Sequence, residues 1–261
     1  MKAAQDLREL IGYRELIAVL ARREIRARYR YSLLGAGWAI ALPVSLMLIF
    51  SVVFSRVANF QTGGIPYPVF AYAGLLPWQL HAGILTGGAR SLTDNSVLVT
   101  KVYFAREVLP LSRVLAALFD FLIASLVLAG LMAWYGILPG PEVALLPLVL
   151  LMQVAFGVGL AMLIAGANLL YRDVQYVLQV AVTVWMFASS VVYPLPRQGM
   201  LGWLGYINPI TPILDSYRAL LLGAPPPHTG QLVAAAIICA VTPVAAWLWF
   251  RRVERRFGEL A

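Results

Sequence analysis

The sequence predicts an all-α protein that crosses a membrane several times. Hydrophobic residues make up 61% of the 261 residues and charged residues only 12%, whereas a soluble domain averages about 45–50% and about 25%. Uncharged runs continue for about 20 residues, the length that a helix needs to span a bilayer. We therefore expect six transmembrane helices, an N-terminal amphipathic interface helix, and short re-entrant or periplasmic helices between spans 5 and 6.

Residues 1–32 are expected to form the cytoplasmic interface helix. Apolar side chains between Tyr13 and Ala21 share one helical face, and five arginines crowd the other side. A basic helix with one apolar face lies in the plane of the interface, with its arginines near lipid phosphates. The alternative is a solvated cytosolic helix. The arginines are Arg22, Arg23, Arg26, Arg28 and Arg30.

Residues 33–250 are expected to form a six-span transmembrane domain, followed by a cytoplasmic tail at residues 251–261. The expected spans are residues 33–55, 69–89, 114–135, 143–169, 177–193 and 232–250. Residues 194–230 hold apolar pieces that are too short to cross, and are expected to form re-entrant helices on the outer side. Asp215 and Arg218 are three residues apart there and can pair on one helical face.

The basic residues predict the orientation. With the N-terminus inside, 17 of the 20 lysines and arginines lie on the cytoplasmic side, in agreement with the positive-inside rule. The loop Tyr171, Arg172 and Asp173, between spans 4 and 5, is then cytoplasmic. The basic residues form no single patch, so we expect membrane lipids rather than nucleic acid as a partner.

Small residues in span 4 predict close helix packing. Gly157, Ala161 and Ala165 follow one another at a spacing of four, with Gly159 and Gly166 beside them. Such a stripe lets two helices approach closely. We favour packing inside the subunit over a dimer seam.

The sequence carries no recognisable catalytic, metal or cofactor site. His81 and His228 stand in different segments, and neither Lys2 nor Lys101 follows a glycine-rich phosphate loop. We expect this chain not to be an enzyme or its own ATPase. Asp120, the one carboxylate well inside a span, is either a functional intramembrane acid or, as we favour, an aspartate near the cytoplasmic interface that pairs with an arginine.

The stretch 91–113 between spans 2 and 3 mixes polar residues with large apolar ones. Leu98, Tyr103 and Phe104 are ringed by charges, an arrangement that suits a docking surface. An ordinary amphipathic loop on the bilayer is the alternative. The residues alone leave both interpretations open.

Several motifs resemble those of ABC-2 type permeases that export O-antigen, capsule and teichoic-acid polymers. They follow one another over nearly the whole chain, except that Ala105 and Ser190 stand where the family often has proline. The motifs are residues 28–38, 74–78, 101–110, 168–174, 185–194 and 207–209.

The resemblance implies a permease subunit of an ATP-driven exporter that moves lipid-linked polysaccharide through a homodimeric channel in the bacterial cytoplasmic (inner) membrane. Two copies of a separate ATP-binding subunit would bind the ATP and Mg. The interface helix and one cytoplasmic segment would dock on that subunit. The candidate docking residues are Asp94, Asn95, Leu98, Lys101, Tyr103, Phe104, Arg106 and Glu107.

Aromatic side chains that face the channel would suit sugars, whose C–H faces pack on rings. The candidates are Phe70, Tyr72, Trp78, Trp185, Phe187 and Tyr193. Three other functions remain open: a drug or small-molecule exporter of the same superfamily, a secondary transporter, and a membrane enzyme that acts on lipid-linked sugars. The sequence lacks the repeated halves of many secondary transporters and the acid–base or metal site of such an enzyme.

Overall fold

The computed structural model describes residues 12–30, 32–54, 63–102, 104–194 and 200–254, and in these ranges it contains helices and turns but no strand. Short 3₁₀ turns at Gly35–Gly37, Thr93–Asn95 and Pro141–Leu145 precede three of the helices. The α-helices are α1 (Arg14–Tyr29), α2 (Trp38–Val52), α3 (Tyr67–Ser91), α4 (Ser96–Lys101), α5 (Val108–Trp134), α6 (Leu146–Leu170), α7 (Val174–Phe187), α8 (Met200–Ile207), α9 (Ile210–Leu222) and α10 (Thr229–Glu254).

Four helical stretches of the described chain are long and apolar enough to cross a membrane. They are Gly35–Val52, Val108–Trp134, Pro141–Leu170 and Thr229–Glu254. Helix α7 is apolar but has only 14 residues. Helix α3 has 25 residues, about 37 Å at 1.5 Å per residue, but its composition is more polar. The chain is therefore a multi-pass α-helical membrane protein.

Helix α3 forms the centre of the fold. It packs against α2, α5, α6, α7 and α9, and most of its side chains are buried. Two of its polar groups bond to neighbouring helices: the Tyr72 hydroxyl donates to the Ala124 carbonyl (3.0 Å), and the Pro77 carbonyl accepts from the Gln153 amide (2.6 Å). A helix enclosed by protein can carry such groups because its neighbours supply the hydrogen bonds.

Glycines allow the closest helix crossings. A Cβ on Gly88 of α3 would lie 2.7 Å from the Ala161 Cβ, and a Cβ on Gly159 would lie 2.8 Å from the Pro243 nitrogen of α10. Helix α6 therefore contacts α3 on one side and α10 on the other. The predicted packing of these small residues inside the subunit is confirmed.

The fifth apolar run is helical over a shorter length than predicted. Helix α7 ends at Phe187 rather than near residue 193, and turns follow at residues 188–190. The carbonyls beyond this end find partners outside the helix: the Asn208 amide donates to Ala188 O (3.4 Å), and Arg218 donates to the Ser190 and Val191 carbonyls. These side-chain donors replace the backbone N–H groups that a continuing helix would supply.

Candidate functional site

Helix α1 is joined to α5 by an ion pair at Asp120. Arg28 donates to this carboxylate, and the Tyr29 hydroxyl donates to its other oxygen at 2.6 Å. Burial, and next the hydrogen bond to Asp120, raise the pKa of the Tyr29 phenol to about 12, so the phenol keeps its proton at neutral pH. The predicted pairing of Asp120 with an arginine is confirmed, and the arginine is Arg28 of α1.

A second ion pair joins Glu24 of α1 to α5. Arg113 of α5 donates to Glu24 and, at 2.8 Å, to Asp94. Leu20 and Ala21, on the same side of α1, are buried. The apolar face of α1 thus packs on protein, and Glu24 beside it contacts α5.

The five arginines of α1 are all exposed. Arg28 nevertheless pairs with Asp120, and Arg23 donates to the Asn95 side chain. These two arginines therefore join α1 to the rest of the subunit.

The predicted docking segment exposes different side chains from those expected. Val97 and Val102 are 63% and 50% exposed, and Lys101 is exposed between them. Leu98 and Phe104 are partly buried against the core beneath them. Asp94 is exposed and bonded to Arg113. Tyr103 lies outside the described residues.

Asn95 and Glu107 are corrections to the predicted docking set. Asn95 is 8% exposed and donates to Ser91 O at 2.8 Å, and Glu107 is fully buried. The Glu107 carboxylate accepts a hydrogen bond from Arg251 Nε of α10 at 3.0 Å. Arg106 also points inward, donating to Glu254 O (2.5 Å) and Val99 O (3.2 Å). These side chains hold the segment in place, because each makes at least one hydrogen bond within the subunit.

The loop 171–173 is exposed, as a cytoplasmic loop is expected to be. The Asn168 side chain fixes its position: its amide donates to Ala89 O of α3 at 2.8 Å, and its oxygen accepts the Gln175 N–H of α7 at 3.1 Å. Tyr171, Arg172 and Asp173 therefore lie beside the end of α3, close to the start of the docking segment.

Arg218 of α9 holds together three segments at the other end of the molecule. Its guanidinium donates to the Phe70, Ser190 and Val191 carbonyls and lies 3.5 Å from the Asp215 carboxylate. The predicted Asp215–Arg218 pair is confirmed. Its burial was not predicted: Arg218 is 2% exposed, with its guanidinium carbon 4.0 Å from the centre of the Phe70 ring.

Three of the six channel candidates lie inside the subunit. Phe70 lies under Arg218, Tyr72 is bonded to α5, and Trp78 packs against His81 and Trp185. Because these rings are almost fully buried, they do not line a channel in this structure. Phe187 is exposed, and Trp185 and Tyr193 are partly buried.

Trp185 connects the interior to the segment between α8 and α9. Its indole N–H donates to the Asn208 side chain at 2.9 Å, and its ring meets His81 edge-on at 4.9 Å between centroids. Asn208 also accepts the Ile210 N–H at 3.2 Å. That bond lies at the start of α9, which begins at Ile210 and ends at Leu222, where Gly223 (φ +67°) follows as its C-cap.

A cavity of about 540 Å³ opens between α1, α2, α3 and α5. Arg28, Tyr29 and Asp120 lie at its polar end, and Leu42 and Phe121 are among its apolar lining residues. Within the described residues, no group of three His, Cys, Asp or Glu side chains is placed to hold a metal ion. The site thus consists of packing, ion pairs and an amphipathic cavity.

These features define a multi-pass α-helical membrane protein with a structured segment at one end and short broken helices at the other. Residues 15–222 match the ABC2_membrane family, ABC-2 type transporter. The chain belongs to this family, which confirms the resemblance drawn from its motifs.

Relatives within the family have names that refer to polysaccharide transport. The chain is 34% identical to the O-antigen export system permease protein RfbA of Myxococcus xanthus, covering 97% of this chain and 98% of the relative. It is 28% identical to RfbA of Klebsiella pneumoniae, covering 96% of each. Identity to the polysialic acid transport protein KpsM of Escherichia coli is 27%, over 79% of this chain and 81% of the relative.

Proposed function

We propose that this chain is the permease subunit of an ATP-driven exporter that moves lipid-linked polysaccharide across the bacterial cytoplasmic membrane. One observation carries the proposal: the similarity to a permease named for O-antigen export extends over 97% of the chain at 34% identity. The amphipathic cavity also suits a lipid-anchored substrate, because polar groups near Arg28 adjoin an apolar wall. The alternative is an exporter of the same superfamily whose substrate is a drug or another small molecule.

In the proposed topology the chain crosses the membrane six times, with both termini in the cytoplasm. The crossings are α2, α3, α5, α6, α7 with the turns after it, and α10. The charge distribution supports this orientation, because 17 of the 20 basic residues are then cytoplasmic. Residues 1–32 then form the interface segment, 33–250 the transmembrane domain with 194–230 external, and 251–261 the tail.

The energy would come from a separate ATP-binding subunit, which carries ATP and Mg. Two copies of it would dock on a homodimer of this chain, through α1 and the segment 94–107. Val97, Lys101 and Val102 support this because they expose apolar side chains beside a charge, the pattern of an interface anchor.

A hydrophilic polymer needs a continuous channel across about 30 Å of hydrocarbon, and the dimer would enclose it. Phe187, Trp185 and Tyr193 remain the aromatic candidates for its wall, since each retains exposed surface. Helix α7 supports this because none of its side chains is fully buried within the subunit.

Deletion of the gene tests the function. The strain is expected to lose surface polysaccharide, to accumulate lipid-linked polymer on the cytoplasmic side, and to keep its glycosyltransferase activity. The plasmid-borne gene should restore export. Normal surface polymer in a deletion strain that has no second permease gene would refute the assignment.

A further inference from the structure

We infer that Arg251 and Gln231, near the two ends of α10, are coupling residues that transmit movement of the docking segment to the outer helix α8. The inference rests on the proposed function, because it requires an ATP-binding subunit that moves the segment 94–107. It assigns α10 a role beyond that of a membrane anchor.

The cytoplasmic end of α10 is bonded to the docking segment by two adjacent side chains. Glu107, which is fully buried, accepts from Arg251 Nε at 3.0 Å, and Arg106 donates to the Glu254 carbonyl at 2.5 Å. Phe250 is fully buried in the same apolar cluster as Val108. A displacement of this segment therefore acts directly on α10, because the buried Glu107 carboxylate loses its charged partner when the contact with Arg251 breaks.

The outer end of α10 fits against α8. Gln231 is 7% exposed, and its amide donates to Gly202 O at 3.0 Å. Gly205 leaves space for this amide, since a Cβ there would lie 2.6 Å from the Gln231 nitrogen. A Cβ on Gly230 would lie 3.2 Å from the Tyr206 hydroxyl. The start of α10 is thus bonded to and closely packed on α8.

Between these ends α10 is one continuous helix of 26 residues, about 39 Å long at 1.5 Å per residue. It lies close to α6 at Pro243, opposite Gly159. Ile237, Val241 and Val244, to either side of this point, are each 58–59% exposed. A helix bonded at both ends and in close contact near its middle transmits a displacement along its length more readily than a flexible loop.

The test follows α8 in the assembled complex. The permease carries Cys239→Ala and Trp203→Cys, with a spin label at position 203, and is reconstituted in lipid nanodiscs with its ATP-binding partner. Trp203 is 70% exposed on α8. ATP is expected to change the label's spectrum in the parent complex. Arg251→Gln should reduce that change by about fivefold or more, the lower range of allosteric coupling, while ATP hydrolysis continues.

Arg252→Gln is the matched control, because Arg252 is exposed one residue further along. The Arg252→Gln complex should show the same ATP-dependent spectral change as the parent complex. Gln231→Leu, at the outer end, should reduce the change as Arg251→Gln does, and it tests the inference even when Arg251→Gln does not fold. If Glu107 and Arg251 act as a unit, the double variant Glu107→Gln, Arg251→Gln should reduce the spectral change no further than Arg251→Gln alone.

Two results would overturn the inference. One is an ATP-dependent spectral change as large as that of the parent complex in folded Gln231→Leu or in folded Arg251→Gln. The other is no ATP-dependent change at position 203 in a parent complex that exports polymer. Failure of the proposed function is a separate result: the parent complex would then move no lipid-linked polymer, whatever the label shows.

Discussion

The Arg218 guanidinium occupies the space that a side chain on Gly74 would fill. A Cβ on Gly74 would lie 2.1 Å from Arg218 Nη2 and 2.1 Å from the Val191 carbonyl oxygen. The glycine thus lets a buried arginine reach backbone carbonyls of two other segments. Helix α9, the end of α7 and the central helix α3 meet at this point.

Gly74→Ala is expected to destabilise the protein. The new methyl group overlaps a guanidinium and a backbone oxygen that have little room to move, and such overpacking costs about 1–3 kcal/mol. The melting temperature of the purified permease in detergent should fall. Gly130→Ala is the control, because a Cβ there meets nothing within 4 Å. An equal or higher melting temperature for Gly74→Ala would contradict the packing described.

Val97→Asp is expected to weaken binding to the ATP-binding subunit. Val97 is 63% exposed on the docking segment, and loss of an interface anchor costs about 2 kcal/mol or more, which corresponds to roughly 30-fold in Kd. Co-purification and titration of the two subunits measure it. The permease's own melting temperature should not change. Ala144→Asp, exposed at the far end of the molecule, should bind normally; equal binding by Val97→Asp would place docking elsewhere.

Lys101 and Leu138 are predicted to lie on opposite sides of the membrane. Single cysteines at these positions, in a Cys239→Ala background, are treated with an impermeant thiol reagent on intact cells. Both side chains are exposed, so either cysteine should react where the reagent reaches it. Position 138 should label at once and position 101 only after permeabilisation. Labelling of position 101 in intact cells would reverse the topology.

Asp120→Asn is expected to retain ATP-driven export. Asp120 bonds to Arg28 and Tyr29, whose side chains are partly exposed, so the loss of its charge should cost about 1 kcal/mol or less. Export into inverted membrane vesicles, supplied with ATP, should also continue when a protonophore collapses the proton gradient. Loss of export in both experiments would favour the secondary transporter.

Hydropathy predicts the helices that contact lipid. Ion pairs between residues one helical turn apart can also be predicted from the sequence. Helices α2, α5, α6 and α10 lie within or overlap predicted spans, because a bilayer selects apolar surfaces. The Asp215–Arg218 pair follows from a spacing of three. Gly74 leaves the space that the Arg218 guanidinium occupies. It lies more than a hundred residues away along the chain, and the local sequence gives no sign of this contact.

The exposed side of the docking segment was not predictable for the same reason. Glu107 looks like a surface charge until Arg251 of α10 is placed beside it. Leu98 and Phe104 resemble interface anchors in the sequence, but they pack against the core under α4. Val97 and Val102 are exposed instead. The rotation of so short a helix is fixed by tertiary contacts rather than by its own residues.

The enclosure of α3 has a consequence for biosynthesis. His81 is fully buried at the middle of this helix and packs between Phe156 of α6 and Trp185 of α7. Those partners are translated later than α3, and a polar helix enters hydrocarbon at a cost that apolar helices do not have. Helix α3 should therefore wait at the insertion machinery until α6 and α7 emerge, so that these helices enter lipid as an assembled group rather than one by one.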